Sequence, residues 1–209
     1  MPRTIAASLT VLILASWGRA AASQESASSE PTRRLQLDEP NLLVPSLHAG
    51  GLLLGMRLGE AYIWPDPFAD PVSSWGEHYE AALTQPPKWD SDAPPFEWDG
   101  DPWYINVVGH GLFGSELYLR ARHCRLGVVG SLLFTAAGST VWEYGVEANG
   151  VRPSGFDLWF TPLSGVVVGE ARYWAWRASG SVRQKALRGI LQALFDPLGE
   201  LERFAGTPC

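Results

Sequence analysis

A polar residue stands at every fourth position of an otherwise apolar stretch, and this spacing restricts how the chain can fold. The stretch covers residues 126–149, and its polar positions are Ser131, Thr135, Ser139, Glu143 and Glu147. Side chains four residues apart lie on one side of an α-helix, so the series predicts a helix with a narrow polar stripe. Large apolar residues cover the rest of this helix, and we therefore expect the stripe to face other helices rather than water.

The stretches on either side carry polar residues with the same spacing. Asn106 and His110 are one helical turn apart before the stripe, and Asp157 and Thr161 are one turn apart after it. Small residues continue both series and allow close helix packing; they are Gly114, Gly165 and Gly169. We expect the three series to meet in one buried polar seam, with Arg122 or Arg152 near its ends. Its structural members are predicted to be Asn106, Arg122, Ser139, Ser154, Thr161 and Glu170.

Four residues of the seam are candidates for chemistry: His110, Glu143, Glu147 and Asp157. A carboxylate buried without a partner is strongly unfavourable, so Glu143 is expected to be paired, protonated or bound to a metal. Three interpretations stay open, which are a structural network that fixes helix packing, an acid–base pair, and a divalent metal site. The metal interpretation uses Glu143, Glu147 and His110, with Asp157 nearby, and the sequence implies no other cofactor.

Prolines divide the chain into an irregular arm and a helical domain. Eight of the 39 residues over 64–102 are proline, which excludes long helices and central strands there. Four tryptophans in the same segment predict that it packs against the rest of the protein. We expect a mainly α protein, with an apolar helix and a Pro/Trp-rich acidic arm over 46–102 and a helical domain over 103–209. Four or five apolar, glycine-rich helices are predicted to form the bundle.

The beginning of the chain has the features of an export signal. Arg3, an apolar run over residues 5–17 and small residues over 20–23 predict a signal peptide at 1–23. About 13 apolar residues are too few to cross a bilayer core, which needs roughly 20. A flexible polar lead is expected over 24–45. The two cysteines, Cys124 and Cys209, could pair in an oxidising compartment, but two cysteines do not define a disulfide framework.

Charge and aromatic residues indicate which partners the protein has. A net charge of −6 argues against nucleic-acid binding. Aromatic residues cluster near the predicted helix ends and small residues recur inside the helices, and both patterns are typical of membrane-associated helices. We therefore expect membrane association, with insertion of the packed bundle as one form of it. Membrane lipid is accordingly one expected partner, and the sequence does not define an oligomeric state.

As a linked set, the motifs of these three helices resemble an uncharacterised bacterial family, domain of unknown function 3943. The motifs are Asn106-x-x-x-His110-x-x-x-Gly114-Ser115-x-x-Tyr118-x-x-x-Arg122, Ser139-x-x-Trp142-Glu143-x-x-x-Glu147, and Pro153-Ser154-x-x-Asp157-Leu158-x-x-Thr161-Pro162-x-x-Gly165-x-x-x-Gly169-Glu170. With Pro87-x-Trp89 upstream, the resemblance covers about residues 75–176. The family usually has proline after the histidine, where this chain has Gly111. The resemblance implies an exported protein of the bacterial envelope, located in the periplasm or at a membrane, and brings no established activity.

Three functions are compatible with these observations. The first is a structural or lipid-associated envelope protein, with an envelope protein or membrane lipid as its partner. The second is a hydrolase or transferase acting on a lipid or cell-wall precursor, with His110 as general base and Glu143, Glu147 and Asp157 as metal ligands or acid. The third is an interaction module whose acidic arm or basic face docks a partner or anionic lipid. That basic face consists of Arg183, Lys185 and Arg188.

Overall fold

The computed structural model describes residues 40–206 and Cys209. The predicted signal peptide (1–23) and residues 24–39 of the predicted lead lie outside this part. Within the described residues the fold is helical and contains no β-strand, only one isolated bridge between Lys88 and Ser154. The mainly α class is therefore confirmed.

Eight helices make up the described part of the chain. The first three are α1 (Leu43–Ile63), α2 (Pro65–Phe68) and α3 (Val72–Thr84). Helix α4 combines a π-helical turn, Ile105–Gly109, with the α-helix His110–His123. Helix α5 joins Gly127–Val141, the π-helical turn Trp142–Val146 and the 3₁₀ turn Glu147–Asn149. Helix α6 joins Asp157–Ser164, the π-helical turn Gly165–Gly169 and Glu170–Ser179. Helices α7 (Lys185–Phe195) and α8 (Pro197–Ala205) follow.

Five of the eight described helices, α4 to α8, lie within residues 103–209, the range predicted for the helical domain. Helices α2 and α3 lie inside the proline-rich arm, and α2 itself contains Pro65 and Pro67. The last turn after Asp196 is longer than expected, because Asp196 caps α8 by accepting the backbone N–H of Gly199. Helix α1 begins at Leu43, three residues before the predicted start, and Asn41 Oδ1 accepts the Leu43 N–H there.

Helix α4 is the centre of the bundle. It packs against α5, α6 and α1. Its middle is fully enclosed, since Leu117, Tyr118, Leu119 and Ala121 have no exposed surface. The apolar core lies between α4, α1 and α5, where Phe113 and Leu117 contact Trp142. A helix buried on all sides must satisfy its polar side chains through its neighbours, and this requirement creates the polar contacts described below.

Glycines bring α4 and α6 into backbone contact. A Cβ atom added to Gly165 would lie 2.7 Å from the Gly114 carbonyl oxygen, and one added to Gly114 would overlap the Thr161 carbonyl oxygen. Gly169 is similarly close to Tyr118 and to the backbone of Ser115. Glycine, which has no Cβ atom, is therefore required at this crossing for a steric reason.

The irregular arm is held against the junction between α5 and α6. Lys88 donates its backbone N–H to the Pro153 carbonyl at 2.8 Å and accepts the Gly155 N–H at 2.9 Å. Aromatic rings hold the same region, since Trp98 stacks on Trp89 and contacts Phe156 edge-on. These contacts fix Ser154 and the acidic residues of the arm beside the ends of α5 and α6.

The last two helices are tied to α4 by charge and by a disulfide. Arg120 reaches Asp196 at 3.1 Å, and Asp196 also pairs with Arg203 of α8 at 2.8 Å. Cys124 and Cys209 form a disulfide across a sequence separation of 85 residues. The chain's final residue is thereby joined to the end of α4.

Long apolar side chains lie on the outer faces of α1, α7 and α8. The most exposed of them are Leu43, Leu47, Leu54, Leu58, Ile190, Leu194, Leu201 and Phe204. Among the described residues, no helix combines the length and the apolar character that a crossing of the bilayer requires.

Replacing Gly114 with alanine should destabilise the protein, and the same change at Gly111 should not. The Gly114→Ala methyl group would displace the α6 backbone, at a cost of about 2 kcal/mol or more in the free energy of unfolding. Gly111 lies on the same helix with nothing within 4 Å of an added Cβ, so Gly111→Ala is expected to leave stability equal or slightly higher. Urea unfolding measures both, and equal stability of the two variants would contradict the close α4–α6 contact.

Candidate functional site

Three ionisable side chains from three helices meet inside the bundle. His110 comes from α4, Glu143 from the π-helical turn of α5, and Asp157 from the first position of α6. One nitrogen or oxygen atom of each lies within 4.8 Å of the other two, and all three residues are buried. We call these three residues the His–Glu–Asp cluster.

The histidine is held by partners on α6. Its Nδ1 is 3.0 Å from Thr161 Oγ1, and its Nε2 is 3.5 Å from Asp157 Oδ2. Burial lowers the pKa of His110 to about 4, against a smaller upward effect of the Asp99 carboxylate. The imidazole is therefore neutral at neutral pH, which is the form that acts as a base or a metal ligand.

Ser154 organises the acids of the cluster. Its backbone N–H donates to Glu143 Oε2 at 2.7 Å, and its hydroxyl donates to Asp99 Oδ2 at 2.6 Å. The same hydroxyl accepts the Asp157 backbone N–H at 3.0 Å, which caps the start of α6. Ser139 completes this contact, because its hydroxyl donates to the Asp157 carbonyl oxygen at 3.1 Å.

The carboxyl groups of the cluster resist ionisation. Burial, reinforced by the nearby Asp99, raises the pKa of Asp157 to about 9. Burial, with the charges of Glu147 and Asp157, also raises the pKa of Glu143 well above its ordinary value. Glu143 Oε1 and Asp157 Oδ1 have no hydrogen-bond partner in the described residues. The cluster is therefore short of positive charge and of hydrogen-bond donors.

Asp99 also belongs to the site, although this residue was not identified from the sequence. It lies in the irregular arm and is 6% exposed. Besides Ser154, it accepts from Asn106 Nδ2 at 2.7 Å, and Asn106 Nδ2 also donates to the Phe96 carbonyl. Hydrogen bonds from Ser154 and Asn106 lower the pKa of Asp99 in spite of its burial. Asp99 lies outside the helices, so helical periodicity could not mark it as a site residue. The neighbouring Trp98 was the local feature that indicated burial.

The structure places Glu147 outside the cluster, in a second cavity. This cavity of about 250 Å³ is lined by Glu147, Glu60 and Asp101 among others, and we call it the acidic cavity. Burial, with the charges of Glu60 and Asp101, raises the pKa of Glu147 to about 8. Burial likewise raises the pKa of Glu60 to about 7. Neither Glu60 nor Asp101 was identified as a site residue from the sequence, because polar residues do not recur at a helical spacing in α1 or in the arm.

Arg122, Glu170 and Arg152 make contacts that are separate from the His–Glu–Asp cluster. Arg122 pairs with Glu170 through two hydrogen bonds of 2.8 and 2.9 Å, and Tyr118 donates to the same carboxylate at 2.7 Å. Arg152 donates to Gln85 at 2.8 Å. The predicted seam is therefore divided: Asn106, Ser139, Ser154 and Thr161 surround the His–Glu–Asp cluster, whereas Arg122 and Glu170 lie in a second network toward the other end of α4.

A large apolar cavity adjoins the cluster. It has a volume of about 720 Å³ between α1, α4, α7 and α8, and we call it the apolar cavity. His110 and Trp142 form part of its wall, together with Leu52, Met56 and Phe113. Its lining also includes Ile63, Leu112 and Leu194, which are 60%, 57% and 68% exposed. The cavity thus reaches the surface between apolar side chains, and the cluster's imidazole forms part of its lining.

These features define a helical protein with a buried histidine–carboxylate cluster beside an apolar cavity. Residues 95–198 form a domain of the family described as Domain of unknown function (DUF3943). The family predicted from the sequence is thereby confirmed, with a match that begins later than residue 75 and extends beyond residue 176. Comparison with curated proteins and with solved structures found no significant match to this chain.

The free energy of unfolding in EDTA should fall as the pH rises from about 6.5 to about 8.5. Asp157 and Glu147, with pKa values of about 9 and 8 in the fold, have ordinary values of 3.8 and 4.5. The folded chain therefore binds more protons in this range than the unfolded chain, and stability is lost as the pH approaches the folded pKa values. Each group that stays protonated only in the folded chain lowers the free energy of unfolding by up to about 1.4 kcal/mol for every unit by which the pH rises.

Urea unfolding of wild type and Glu147→Gln at both pH values tests this expectation. The variant lacks one of the titrating groups, so its stability should depend less steeply on pH. Below about pH 6.5 the trend should weaken or reverse, because burial also lowers the pKa values of His110 and His123 to about 4. A wild-type stability that is constant or rises between pH 6.5 and 8.5 would contradict the raised carboxyl pKa values.

Proposed function

We propose that this protein is an exported bacterial envelope protein that binds lipid at a membrane surface and accommodates an acyl chain in the apolar cavity. This proposal rests mainly on the apolar cavity. Its volume of about 720 Å³ lies within the range of ligand pockets, and its lining is apolar apart from a few polar groups that include His110 and Glu60. Apolar walls with a few polar groups suit an amphipathic ligand.

The apolar faces around the cavity favour a membrane as the source of that ligand. On α7 the exposed residues Leu187, Ile190 and Leu194 lie three and four positions apart, and on α8 Leu198 and Leu201 lie three apart. Leu194 and Leu198 belong to this face and also line the cavity. A lipid held against the face would therefore lie next to the cavity opening.

Positive charge beside this face favours an anionic lipid surface. Arg183 and Lys185 are exposed, and Arg188 is half-buried. An apolar helix face flanked by lysine and arginine is typical of helices that lie in the membrane interface. Helix α7 is thus the element that we propose contacts the lipid headgroups.

Export is supported by two independent features of the chain. The sequence begins with the features of a signal peptide. Cys124 and Cys209 are paired, and disulfides persist mainly in oxidising compartments such as the bacterial periplasm. We therefore propose the periplasm, at a membrane surface, as the location.

A hydrolase or transferase acting on the bound lipid is the second candidate, because His110 forms part of the cavity wall. The contacts of the ring favour binding over this activity. Nδ1 faces Thr161 and Nε2 faces Asp157, so the imidazole would have to give up a contact before it could accept a proton from a substrate in the cavity.

Filling the apolar cavity should abolish acyl-chain binding. Gly59 lines the cavity, and nothing lies within 4 Å of a Cβ added there, so Gly59→Trp places an indole in the space that the ligand requires. We expect the affinity for a fluorescent fatty acid to fall at least tenfold, measured by titration of delipidated protein. Gly50→Trp is the matched control, since Gly50 lies on the same helix with open space around it and outside the cavity lining. Equal binding by both variants would contradict the cavity as the site.

Neutralising the basic face should weaken binding to anionic membranes. Replacing Arg183, Lys185 and Arg188 together with glutamine removes about 1 kcal/mol per residue near an anionic surface, which corresponds to roughly 100-fold weaker binding. Vesicles of phosphatidylglycerol and phosphatidylcholine measure the effect by co-sedimentation, with pure phosphatidylcholine as the neutral control. Arg177→Gln, which alters a guanidinium stacked on Tyr173 and Trp174, should bind as wild type. Unchanged binding of the triple variant would exclude α7 as the contact.

A further inference from the structure

We infer that His110, Glu143 and Asp157 bind one divalent transition-metal ion, such as Zn²⁺ or Mn²⁺. This site goes beyond the proposed lipid binding and does not depend on it. One donor atom from each residue lies within 4.8 Å of the other two. Donors around one tetrahedral ion, each at about 2.1 Å, lie about 3.4 Å apart. Donor–donor distances of up to 4.8 Å must therefore shorten by at most about 1.4 Å to complete the site.

The two carboxyl groups each have a buried oxygen that lacks a partner. Glu143 and Asp157 are both 1% exposed. In the described part of the chain, nothing donates to Glu143 Oε1 or Asp157 Oδ1. Buried acceptors without a donor are costly, and most buried polar groups in proteins are satisfied. A bound cation supplies the interaction that both oxygens lack.

Two other buried acids of the chain, Asp196 and Glu116, are neutralised by arginines. Asp196 has no exposed surface and contacts Arg120 and Arg203, and Glu116 contacts Arg172 at 2.8 Å. By contrast, no lysine or arginine within residues 40–206 forms a hydrogen bond or an ion pair with Glu143 or Asp157. The cluster thus contains two buried acids but no cationic side chain that would pair with them.

The histidine is oriented as a metal ligand is. A ligating imidazole usually donates one ring N–H to a neighbouring acceptor and directs the other nitrogen at the ion. In the tautomer that donates the Nδ1 hydrogen to Thr161 Oγ1, at 3.0 Å, Nε2 presents its lone pair on the side of Asp157. Ser154 fixes Glu143 in the same manner through its backbone N–H. A donor set of one imidazole and two carboxylates suits first-row transition metals better than Mg²⁺ or Ca²⁺.

The test uses the mature, disulfide-bonded chain, purified without chelators from a periplasmic expression strain. Elemental analysis should find about one equivalent of a transition metal. After treatment with EDTA and dialysis, Zn²⁺, Mn²⁺ and Mg²⁺ are added singly and thermal unfolding is recorded. We expect Zn²⁺ or Mn²⁺ at about 100 times its Kd to raise the Tm by about 5 to 10 °C, and Mg²⁺ to have little effect.

Single variants locate the ion. Glu143→Gln and Asp157→Asn should lower the bound metal at least tenfold and abolish the Tm response. In EDTA they should remain folded, with a Tm equal to or above that of wild type, because an amide replaces a buried carboxyl group that has one oxygen without a partner. Glu147→Gln is the matched control, since it makes the same change four residues away in the acidic cavity, and it should bind metal as wild type does.

Two results would overturn the inference. The first is a wild-type protein that neither carries a transition metal nor responds to Zn²⁺ or Mn²⁺, in which case protons shared between Asp157 and Asp99 satisfy the cluster. The second is a Glu147→Gln variant that loses metal as completely as Glu143→Gln. Fatty-acid binding is measured on the same samples, so a protein that binds the fatty acid but no metal contradicts this inference alone, and the reverse result contradicts only the proposed function.

Discussion

The contact between the backbones of α4 and α6 determines how the polar groups of these two helices meet at the site. Where Gly114 and Gly165 meet, the two helices are closer than any larger side chain would allow. This closeness puts Thr161 within hydrogen-bond distance of His110 and puts Asp157 beside the same ring. Helix α5 and the arm then close the space, adding Glu143 and Asp99. The chemistry of the site is therefore a consequence of a steric requirement one turn away from it.

The bundle contains two kinds of buried acid, and the difference between them is physical. In the network of Arg120, Asp196 and Arg203, the guanidinium groups supply both the charge and the hydrogen bonds that burial removes. Around Glu143 and Asp157 the partners are neutral hydroxyl, amide and imidazole groups, which supply hydrogen bonds but little charge. A group of the second kind is stable only if it holds protons or a cation. This difference is why the cluster, rather than the arginine networks, is the candidate site.

The sequence could predict those parts of the site that depend on α-helical periodicity alone. Asp157 and Thr161 were identified because they lie one turn apart on a regular α-helix, and His110 because it follows Asn106 by four residues. Glu147 was grouped with Glu143 by the same spacing, but the chain forms a π-helical turn over Trp142–Val146. A π turn advances by more residues than an α turn, so Glu147 points away from the cluster and into the acidic cavity. The residues from outside the periodic stretches, Glu60, Asp99 and Asp101, depend on how the arm and α1 pack, and no local pattern encodes that packing.

The position of His110 links the apolar cavity to the acids behind it. The ring is part of the cavity wall and at the same time contacts Thr161 and Asp157. Trp142 joins the two regions as well, since it lines the cavity and precedes Glu143 in the chain. An acyl chain in the cavity would exclude water from both residues and would lower the effective dielectric constant around the carboxyl groups. Ionised acids without a cation would then cost more, so occupancy of the cavity and neutralisation of the cluster are expected to favour each other. Because such coupling is reciprocal, a cation held by the cluster would in turn strengthen binding in the cavity.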